Sequence, residues 1–429
     1  MLGAICLLAT LVWAGAASAA QGSGAVSRSL LGGVNIGSVS RSSSPAEAER
    51  TMEVAHQLHA KLVRLELPWA LVQPSAPDRM EAQPLNYVDR LAAAATADGI
   101  RLIMLVENTP CWASSAPALL LGRCVAGSGA ASAWPPKDPA TYAAFVAFLA
   151  QRYGPALAAL EIWNEPDQSN EQYFAGPEKP QRYAAVLRAA YTAIKRANPS
   201  VTVLGGSLVG SNGVFLRALY AAGIKGYYDG LSVHFYNLTL ASLRSIHEVQ
   251  LANGDRTPLW LDEFGWSSCW PAHKIQQEQA CVTAQIQAQN LTNTFRALSR
   301  VPYMAAAVVY KLRDSGAEDF GALSMTGAHK PSFSALSHVF ASPFGSPSPV
   351  SMKLRRQGGR VVASGSGPVG DFMAIEAFQG TLLRYRAFFT LDRFNRFSIP
   401  LPSVLGTSGL RVRVYQYWSG VARAAQASI

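Results

Sequence analysis

The sequence predicts a (β/α)8 barrel followed by a small C-terminal antiparallel β module. Short apolar runs alternate with amphipathic helical stretches over residues 30–341, which is typical of helices packed around a parallel sheet. Eight such runs can be placed there, the number that closes a barrel. A Ser/Pro-rich segment over 342–349 then separates residues 350–429, where short strand-like runs follow one another without helices.

The eight predicted barrel strands are nearly continuous apolar runs, as expected for strands that are buried on both faces. They are Gly33–Ile36, Lys61–Leu67, Arg101–Val106, Ala159–Trp163, Val201–Gly205, Gly230–His234, Leu259–Glu263 and Ala305–Tyr310. A doubly wound open sheet is the alternative fold. It usually has fewer strands and a glycine-rich first turn, and no GxGxxG motif follows the first run.

The C-terminal residues 350–429 predict a β-sandwich-like module and carry most of the net charge. The predicted strands are Arg360–Ala363, Phe372–Phe378, Thr381–Phe389, Arg396–Ile399 and Arg411–Tyr417. From residue 351 onward, eleven Lys and Arg stand against three Asp and Glu, which places +8 of the total charge of +10 here. A basic surface favours an acidic polysaccharide or an anionic envelope over nucleic acid as partner. A solvated face that aids solubility is the alternative.

Residues 1–19 have the pattern of a signal peptide. Leu2–Ala17 is almost entirely apolar and small, and Ala17–Ala19 fits the small-x-small pattern before a cleavage site. The run has no preceding Lys or Arg, and an uncleaved anchor helix is the alternative, but it is short for a span of roughly 20 residues. We expect an exported protein, periplasmic or secreted, that is monomeric and has no stable membrane span after cleavage.

Cysteine usage agrees with export. Outside the predicted signal, four cysteines allow three pairings. Cys111 with Cys124 and Cys269 with Cys281 are the local pairs, and an oxidising compartment would let both form. Four unpaired buried thiols are the alternative. The sequence has no CxxC motif or Cys/His cluster, so it predicts no metal site.

Two glutamates stand where the catalytic carboxyl groups of a barrel glycosidase are expected. Glycoside hydrolysis needs one carboxyl to protonate the leaving oxygen and another to attack or to activate water. Such groups lie at the C-terminal ends of different barrel strands. Glu165 follows the fourth strand within WNEP, and strand alternation predicts that Glu161, Trp163 and Glu165 share one face. Pro166 ends the strand immediately afterwards.

The second glutamate ends the seventh predicted strand. Leu259, Leu261 and Glu263 share one phase of the alternation. We therefore expect Glu263 to point into the barrel mouth and Asp262 to point away from it. Earlier in the chain, Arg64 and Glu66 alternate with leucines, which predicts either a buried ion pair that supports the site or a direct substrate contact.

These stretches resemble the signatures of the large clan of glycoside hydrolases whose catalytic carboxylates follow strands four and seven. The resemblance covers the barrel and is closest to cellulase-like and β-xylosidase-like families. In organisation the chain is similar to bacterial exopolysaccharide glycosidases with a C-terminal β module. The resemblance implies a retaining enzyme that needs no metal or organic cofactor, with Glu165 as acid/base and Glu263 as nucleophile.

The resemblance also implies roles for residues around the two glutamates. Asn164 matches the residue that binds the sugar 2-hydroxyl, and Arg64 matches an arginine beneath the nucleophile. His234 and Tyr236 match a pair at the end of strand six, where the Tyr hydroxyl orients the nucleophile. Taken without the resemblance, His234 reads as a structural histidine.

Aromatic residues near the strand ends are candidate sugar platforms, because the C–H faces of sugars are apolar. Trp69, Trp112 and Trp266 fall in loops after strands two, three and seven, and ordinary core packing is the alternative for each. The family pattern places a Trp after strand eight, where this chain has Tyr310. Lys311 or Arg313 beside it would bring positive charge that suits an acidic sugar.

The sequence therefore predicts a retaining glycoside hydrolase that acts on an oligo- or polysaccharide, with an exopolysaccharide, neutral or acidic, as a candidate substrate. A non-catalytic envelope protein that binds polysaccharide through a vestigial site is one alternative. A transglycosylase, which would use a sugar hydroxyl in place of water, is the other.

Overall fold

The computed structural model describes residues 30–125, 129–236, 240–271, 281–316, 318–342, 348–369, 373–406, 408–416 and 424–429. The predicted signal peptide and the centre of the predicted linker lie outside these ranges. The first eight strands are β1 (Leu31–Ser38), β2 (Leu62–Pro68), β3 (Arg101–Glu107), β4 (Leu157–Ile162), β5 (Thr202–Leu208), β6 (Gly230–His234), β7 (Leu259–Phe264) and β8 (Met304–Val309).

These strands form a closed parallel barrel, which confirms the predicted fold class. Each strand pairs with the next, and β8 pairs with β1. All eight predicted strands are present with ends shifted by a few residues. The helices are α1 (Pro45–Gln57), α2 (Trp69–Val72), α3 (Ala82–Ala97), α4 (Ala118–Leu121), α5 (Pro139–Tyr153), α6 (Lys179–Ala197), α7 (Val214–Ala221), α8 (Leu240–Ala252), α9 (Ala284–Leu298) and α10 (Pro331–Ala341).

Strand alternation divides the barrel interior into an apolar layer and a polar layer. The apolar layer includes Leu62, Ile103 and Ala159, which are fully buried together. Two residues further along β2 and β4, the inward positions are Arg64 and Glu161, also fully buried. The apolar layer therefore lies nearer the N-terminal ends of the strands. The charged side chains lie at the C-terminal ends, where barrel enzymes have their active sites.

The C-terminal module consists of two antiparallel sheets around a small apolar core of its own. One sheet has the order β13-β10-β9 and the other β12-β11-β14-β15. The strands are β9 (Ser351–Gln357), β10 (Arg360–Ser366), β11 (Met373–Gln379), β12 (Leu382–Phe389), β13 (Arg396–Pro400), β14 (Leu410–Gln416) and β15 (Ala425–Ser428). This confirms the predicted antiparallel β module.

Two strands of the module, β9 and β15, are absent from the prediction. β9 has the sequence SMKLRRQ and is mostly exposed, so it lacks the apolar run on which the prediction relied. A turn signal was present, because Gly358 and Gly359 join β9 to β10 with φ values of 56° and 74°. Two successive left-handed residues are what a tight two-residue hairpin requires.

The module is held against the barrel by buried side-chain amides on α9. Asn293 donates to the Pro368 carbonyl oxygen at 2.6 Å and accepts from the Ser348 backbone N–H at 3.0 Å. Asn395, from the module, donates to Asn290 Oδ1 at 2.6 Å. Because such groups lose water on burial, their direct pairing fixes the orientation of the module on α9.

Both local disulfides are formed, Cys111–Cys124 and Cys269–Cys281. The first closes the loop after β3 and the second the loop after β7, and both loops belong to the face on which the strands end. Among the residues that the model describes, no helix combines the length and the apolar character needed to cross a bilayer.

We predict that Asn293→Ala lowers the free energy of unfolding by about 1–3 kcal/mol, because it leaves a buried carbonyl and a backbone N–H without their partner. Chemical denaturation with a tryptophan fluorescence readout measures the change. Asn86→Ala on the exposed face of α3 is the matched control and should change stability by less than about 0.5 kcal/mol. Equal effects of the two substitutions would show that the amide contacts do not brace the module.

Candidate active site

The centre of the barrel mouth is the guanidinium of Arg64, on β2. Arg64 is fully buried, and its Nε donates to Glu161 Oε2 at 2.7 Å while its Nη1 donates to Glu263 Oε1 at 2.6 Å. Its Nη2 lies 3.5 Å from Asn164 Oδ1 and 3.5 Å from His234 Nε2. A single planar cation therefore connects groups from β2, β4, β6 and β7, using the fork of donors that distinguishes arginine from lysine.

Glu263, on β7, is held from three sides. Besides Arg64, the Asn35 side chain on β1 donates to Glu263 Oε1 at 3.3 Å. The Tyr236 hydroxyl donates to the other oxygen, Oε2, at 2.6 Å. Burial and then the Glu263 carboxylate raise the pKa of Tyr236, so its hydroxyl keeps the proton that it donates. Both carboxylate oxygens of Glu263 are thus oriented by donors.

Glu165 has a different environment. Its Oε1 lies 2.9 Å from His234 Nδ1, and its Oε2 accepts from the Gln168 side chain. Among the described residues, no arginine or lysine pairs with it. A Glu165 oxygen and a Glu263 oxygen lie within 4.8 Å of each other, with His234 Nδ1 between them at 2.9 and 3.6 Å. Both glutamates are 6% exposed, so each can meet a ligand in the mouth.

The charges in this cluster shift one another's pKa values. Burial alone would raise the pKa of Glu161, but Arg64 and the neighbouring donors lower it to about 2. Burial and Glu161 raise the pKa of Asp262 well above its ordinary value. Burial lowers the pKa of His234, but Glu263 and the hydrogen bond with Glu165 raise it more, so the net shift is upward.

The predicted orientation of Asp262 is wrong. Its side chain points into the barrel, with Oδ2 3.8 Å from Arg64 Nε and Oδ1 3.4 Å from His234 Nε2. The reason is a β-bulge: Val233 pairs with Leu261, whereas the next residue, His234, pairs with Glu263. The extra residue on β7 breaks the simple alternation, so both Asp262 and Glu263 face the interior.

The prediction that Glu161, Trp163 and Glu165 share one face is also wrong for Trp163. Trp163 has a φ of 68° and follows the end of β4, and its ring packs outside the barrel against Phe174 at 5.3 Å. Glu165 has a φ of 41°. These two left-handed residues turn the backbone after the strand, which brings Asn164 and Glu165 back toward the mouth and leaves Trp163 in the helix layer.

Two of the proposed aromatic platforms are core residues. Trp69 is fully buried, its Nε1 donates to Gln73 at 2.6 Å, and Trp266 is 6% exposed within the main core. Neither offers an exposed plane: Trp69 begins the buried helix α2 and stacks on Phe145, and Trp266 packs against Phe264 in the core. Trp112 is only partly buried, but its Nε1 donates to the Gln73 carbonyl oxygen at 2.9 Å and its edge meets Trp69.

Tyr310 lies beside the site, immediately after β8. Its ring meets the edge of the Tyr236 ring at 5.8 Å, and its hydroxyl donates to Glu318 at 3.0 Å. Gly265, after β7, passes the Tyr310 carbonyl so closely that a Cβ would collide with it. The expected positive charge from Lys311 is not available, because Lys311 pairs with Glu318 at 2.5 Å.

Several contributors to the site were not assigned a role from sequence. They are Asn35 on β1, Glu161 on β4, Gln168 after β4 and Ser207 on β5, whose hydroxyl donates to Glu161 and lies 3.2 Å from His234 Nε2. Alternation along β4 could have predicted that Glu161 points into the barrel, since it lies two residues after buried Ala159. No pattern marks Ser207, because its position follows Gly206 at an irregular part of β5.

Two triads have ligand atoms close enough to hold an ion, Glu161 with His234 and Asp262, and Glu165 with His234 and Glu263. Both share His234. The Arg64 guanidinium already supplies compensating charge at 2.7 Å from Glu161 and 2.6 Å from Glu263. The geometry of the cluster is that of an ion-pair network around arginine.

A parallel eight-stranded barrel that presents paired carboxylates at the ends of strands four and seven defines the class of barrel glycoside hydrolases. The family model of cellulases, glycosyl hydrolase family 5, matches residues 31–300, which is more than half of the chain. The chain belongs to this family, which confirms the predicted glycosidase class. No curated protein sequence matches the chain.

Solved structures of barrel glycoside hydrolases share the fold. A family 39 glycoside hydrolase from Bacteroides cellulosilyticus WH2 is 18% identical, with a TM-score of 0.57 over 88% of this chain and 80% of that one. A monomeric β-xylosidase from Caulobacter crescentus CB15 is 14% identical, with a TM-score of 0.54 over 87% and 94%. A GH5_18 protein from Streptomyces cattleya, solved with GlcNAc, is 17% identical, with a TM-score of 0.52 over 75% and 83%.

We predict that Arg64→Met lowers the free energy of unfolding by about 3–5 kcal/mol, because it leaves Glu161 and Glu263 buried without their cation. The control is Arg152→Met, which removes a surface pair with Asp89 and should cost about 0–1 kcal/mol. Both are measured by chemical denaturation at neutral pH. A free energy of unfolding that Arg64→Met leaves unchanged would contradict the conclusion that this cation stabilises the barrel mouth.

A second prediction concerns Glu66, whose side chain is 21% exposed at the mouth. Burial and then the Glu263 carboxylate raise the pKa of Glu66 to about 7. A carboxyl with a raised folded-state pKa stabilises the fold at low pH and loses that contribution as pH rises through the folded value. The charged groups that act on it are Arg64, Glu107, Glu161, His234 and Glu263.

Wild-type stability should therefore fall between about pH 4.5 and 7, and Glu66→Gln should make this part of the profile flatter. Denaturation midpoints at intervals of half a pH unit measure both profiles. Glu49→Gln, at a position whose side chain is 57% exposed, is the control and should reproduce the wild-type slope. Identical slopes in wild type and Glu66→Gln would refute the raised pKa.

Proposed function

We propose that this chain is a retaining glycosidase that cleaves the glycosidic bonds of an oligo- or polysaccharide by double displacement. In this proposal Glu165 is the general acid/base and Glu263 is the nucleophile. The observation that carries it is the approach of the two carboxylates to within 4.8 Å. Retaining enzymes hold these groups about 5–5.5 Å apart, whereas inverting enzymes leave about 6.5–9.5 Å for a water molecule.

The different surroundings of the two glutamates support the assignment of their roles. Glu263 contacts the Arg64 cation and two further donors, which stabilise a carboxylate and aim it at the mouth. Glu165 instead contacts His234 and Gln168. Glu165 lies 2.9 Å from His234 Nδ1 and, among the described residues, pairs with no arginine or lysine, so of the two glutamates it is the one not held by a fixed cation, as suits a group that gives and takes a proton.

The proposed reaction has two steps. Glu165 gives its proton to the glycosidic oxygen while a Glu263 oxygen attacks the anomeric carbon, which breaks the glycosidic bond and leaves the sugar esterified to Glu263. Water then gives a proton to Glu165, and its oxygen attacks the anomeric carbon and releases Glu263 as a carboxylate. Two inversions give net retention. The step uses no metal or organic cofactor.

Neighbouring residues take supporting roles in this proposal. Asn164 is 6% exposed and lies 3.5 Å from Arg64, so the network can hold its amide toward a sugar hydroxyl. Tyr236 orients the nucleophile through its 2.6 Å hydrogen bond. Tyr310, next to Tyr236, is the candidate sugar platform in place of a tryptophan. Trp112 keeps only a partial exposure for such a contact.

An exopolysaccharide is the proposed natural substrate class, on the strength of the barrel and β module together. The two disulfides support an oxidising compartment outside the cytoplasm, and with it the predicted export. A monomer is proposed and is checked by the elution volume in size-exclusion chromatography. Lys311 pairs with Glu318, so the positive charges that would suit an acidic polymer are those of Arg313, which is exposed, and of the basic module.

We predict that Glu165→Gln and Glu263→Gln each lower kcat/KM at least 100-fold on a glycoside whose leaving group must be protonated, such as an unactivated oligosaccharide. The control, Glu49→Gln, should retain wild-type activity. The anomeric configuration of the first-formed product, read by proton NMR, should equal that of the substrate. Inverted product would reject double displacement.

Other outcomes separate the competing functions. If the wild type hydrolyses no member of a panel of aryl glycosides and polysaccharides but binds a polymer equally well with either substitution, the protein is a binding protein. If added sugar acceptors divert most of the product into new glycosides, the enzyme is a transglycosylase with the same two glutamates.

A further inference from the structure

Two more carboxyl groups face the mouth and have no part in the proposed double displacement. Glu66 lies on β2, two residues after Arg64, and Glu107 is the last residue of β3. The strands are adjacent, with Glu66 paired to Leu105 and Pro68 to Glu107. Ile103 belongs to the inner apolar layer, so alternation turns Glu107 inward as well. The two side chains therefore face the interior at the same edge of the barrel, close enough for Glu66 to act on the pKa of Glu107.

Among the described residues, one carboxyl oxygen of Glu107 has no partner that offsets its burial. Glu107 is 5% exposed, and its Oε2 is buried without a hydrogen-bond partner among the described residues. Glu66 Oε1 comes no closer than 4.0 Å to Arg64 Nη1, whose hydrogen bond goes to Glu263. A buried carboxyl oxygen without a donor is costly, so a fold that retains it leaves a donor to be supplied from outside.

Glu66 and Glu107 also disfavour further negative charge at this edge of the mouth, whether on each other or on a ligand. Burial and then Glu66 raise the pKa of Glu107 well above its ordinary value, and burial and Glu263 raise that of Glu66 to about 7. Such shifts are expected when like charges crowd a buried site. A ligand that donates hydrogen bonds satisfies these oxygens, and a ligand carboxylate adds to the repulsion.

We propose that Glu66 and Glu107 form a recognition pair at the catalytic mouth that takes a hydrogen-bond donor of the bound sugar, a hydroxyl or an ammonium group, and that rejects sugars carrying a carboxylate. This inference rests on the proposed glycosidase function and names its substrate class: a neutral or amino sugar at the site of cleavage. The basic C-terminal module lies outside this selection.

The test removes a carboxyl group of the enzyme and a hydroxyl group of the substrate, separately and together, and compares the effects on kcat/KM. Wild type, Glu107→Gln and Glu66→Gln are assayed on a matched set of aryl β-glycosides: the neutral sugar, its deoxy analogues, an amino sugar and a uronide. For the neutral sugar, Glu107→Gln should lower kcat/KM roughly 10- to 100-fold, because the amide replaces one oxygen by an NH2 group that cannot accept a hydrogen bond from the sugar. For the one deoxy analogue that lacks the recognised hydroxyl, the same substitution should change kcat/KM less than about threefold.

The other arms identify the donor. If the donor is an ammonium group, wild type prefers the amino sugar and Glu107→Gln loses that preference. The uronide should be the poorest wild-type substrate and should gain relative to the neutral sugar in Glu107→Gln and Glu66→Gln. A wild type that prefers the uronide, or variants that leave the whole substrate profile unchanged, overturns the proposal.

Stability distinguishes recognition from a structural role. Because Glu107→Gln removes an ionisable group that the Glu66 and Glu263 carboxyls repel, it should keep or raise the denaturation midpoint while lowering kcat/KM. A lower midpoint together with an unchanged substrate profile would make Glu107 a structural residue and overturn the proposal. A wild type that hydrolyses no glycoside at all would instead overturn the proposed function on which the inference rests.

Discussion

Burying the guanidinium of Arg64 obliges the surrounding strands to supply compensating charge, and most of the mouth follows from that constraint. Glu161 and Glu263 lie 2.7 and 2.6 Å from the guanidinium; Arg64 and Glu161 are fully buried, and the Glu263 side chain is only 7% exposed. Water cannot relax such a pair, so its geometry is fixed by the strands that carry the three residues. The same contacts that stabilise the cation hold Glu263 in the orientation that attack requires.

The mouth contains more carboxyl groups than its cations can neutralise, and this excess has consequences for both stability and function. The upward pKa shifts of Glu66, Glu107 and Asp262 record the electrostatic cost. Proteins commonly accept such a cost where a ligand relieves it. The rest of the molecule provides rigidity around this strained region, through two disulfides on the loops of the same face and a β module fastened to α9 by buried amides.

Periodicity was sufficient to predict the barrel, and strand position together with the family resemblance predicted the two central glutamates. The apolar runs were visible because strands buried on both faces need apolar residues at nearly every position. Glu165 and Glu263 were visible because they follow the fourth and seventh predicted strands within stretches that resemble glycosidase signatures. The short exposed strand β9 was not, since its stability comes from pairing with β10 and not from its own apolar content.

The wrong predictions have local causes that the alternation of side chains along a strand does not reveal. A bulge in β7 turns Asp262 inward, and a left-handed φ at Trp163 moves its ring to the helix layer. Trp69 and Trp266 were candidates because of their position in the chain, but their burial depends on which loops fold over them. Pairings such as Lys311 with Glu318 depend on side-chain reach within a loop, which spacing does not determine.

The most direct test of the proposed double displacement is to trap its covalent intermediate. A fluorinated activated glycoside of the sugar that the enzyme hydrolyses slows the second step, and mass spectrometry of the intact protein and of its peptides locates the adduct. The account predicts a single added sugar on Glu263, which disappears in Glu263→Gln and persists in Glu165→Gln when the leaving group needs no protonation. An adduct on another residue, or turnover with no adduct, would contradict it.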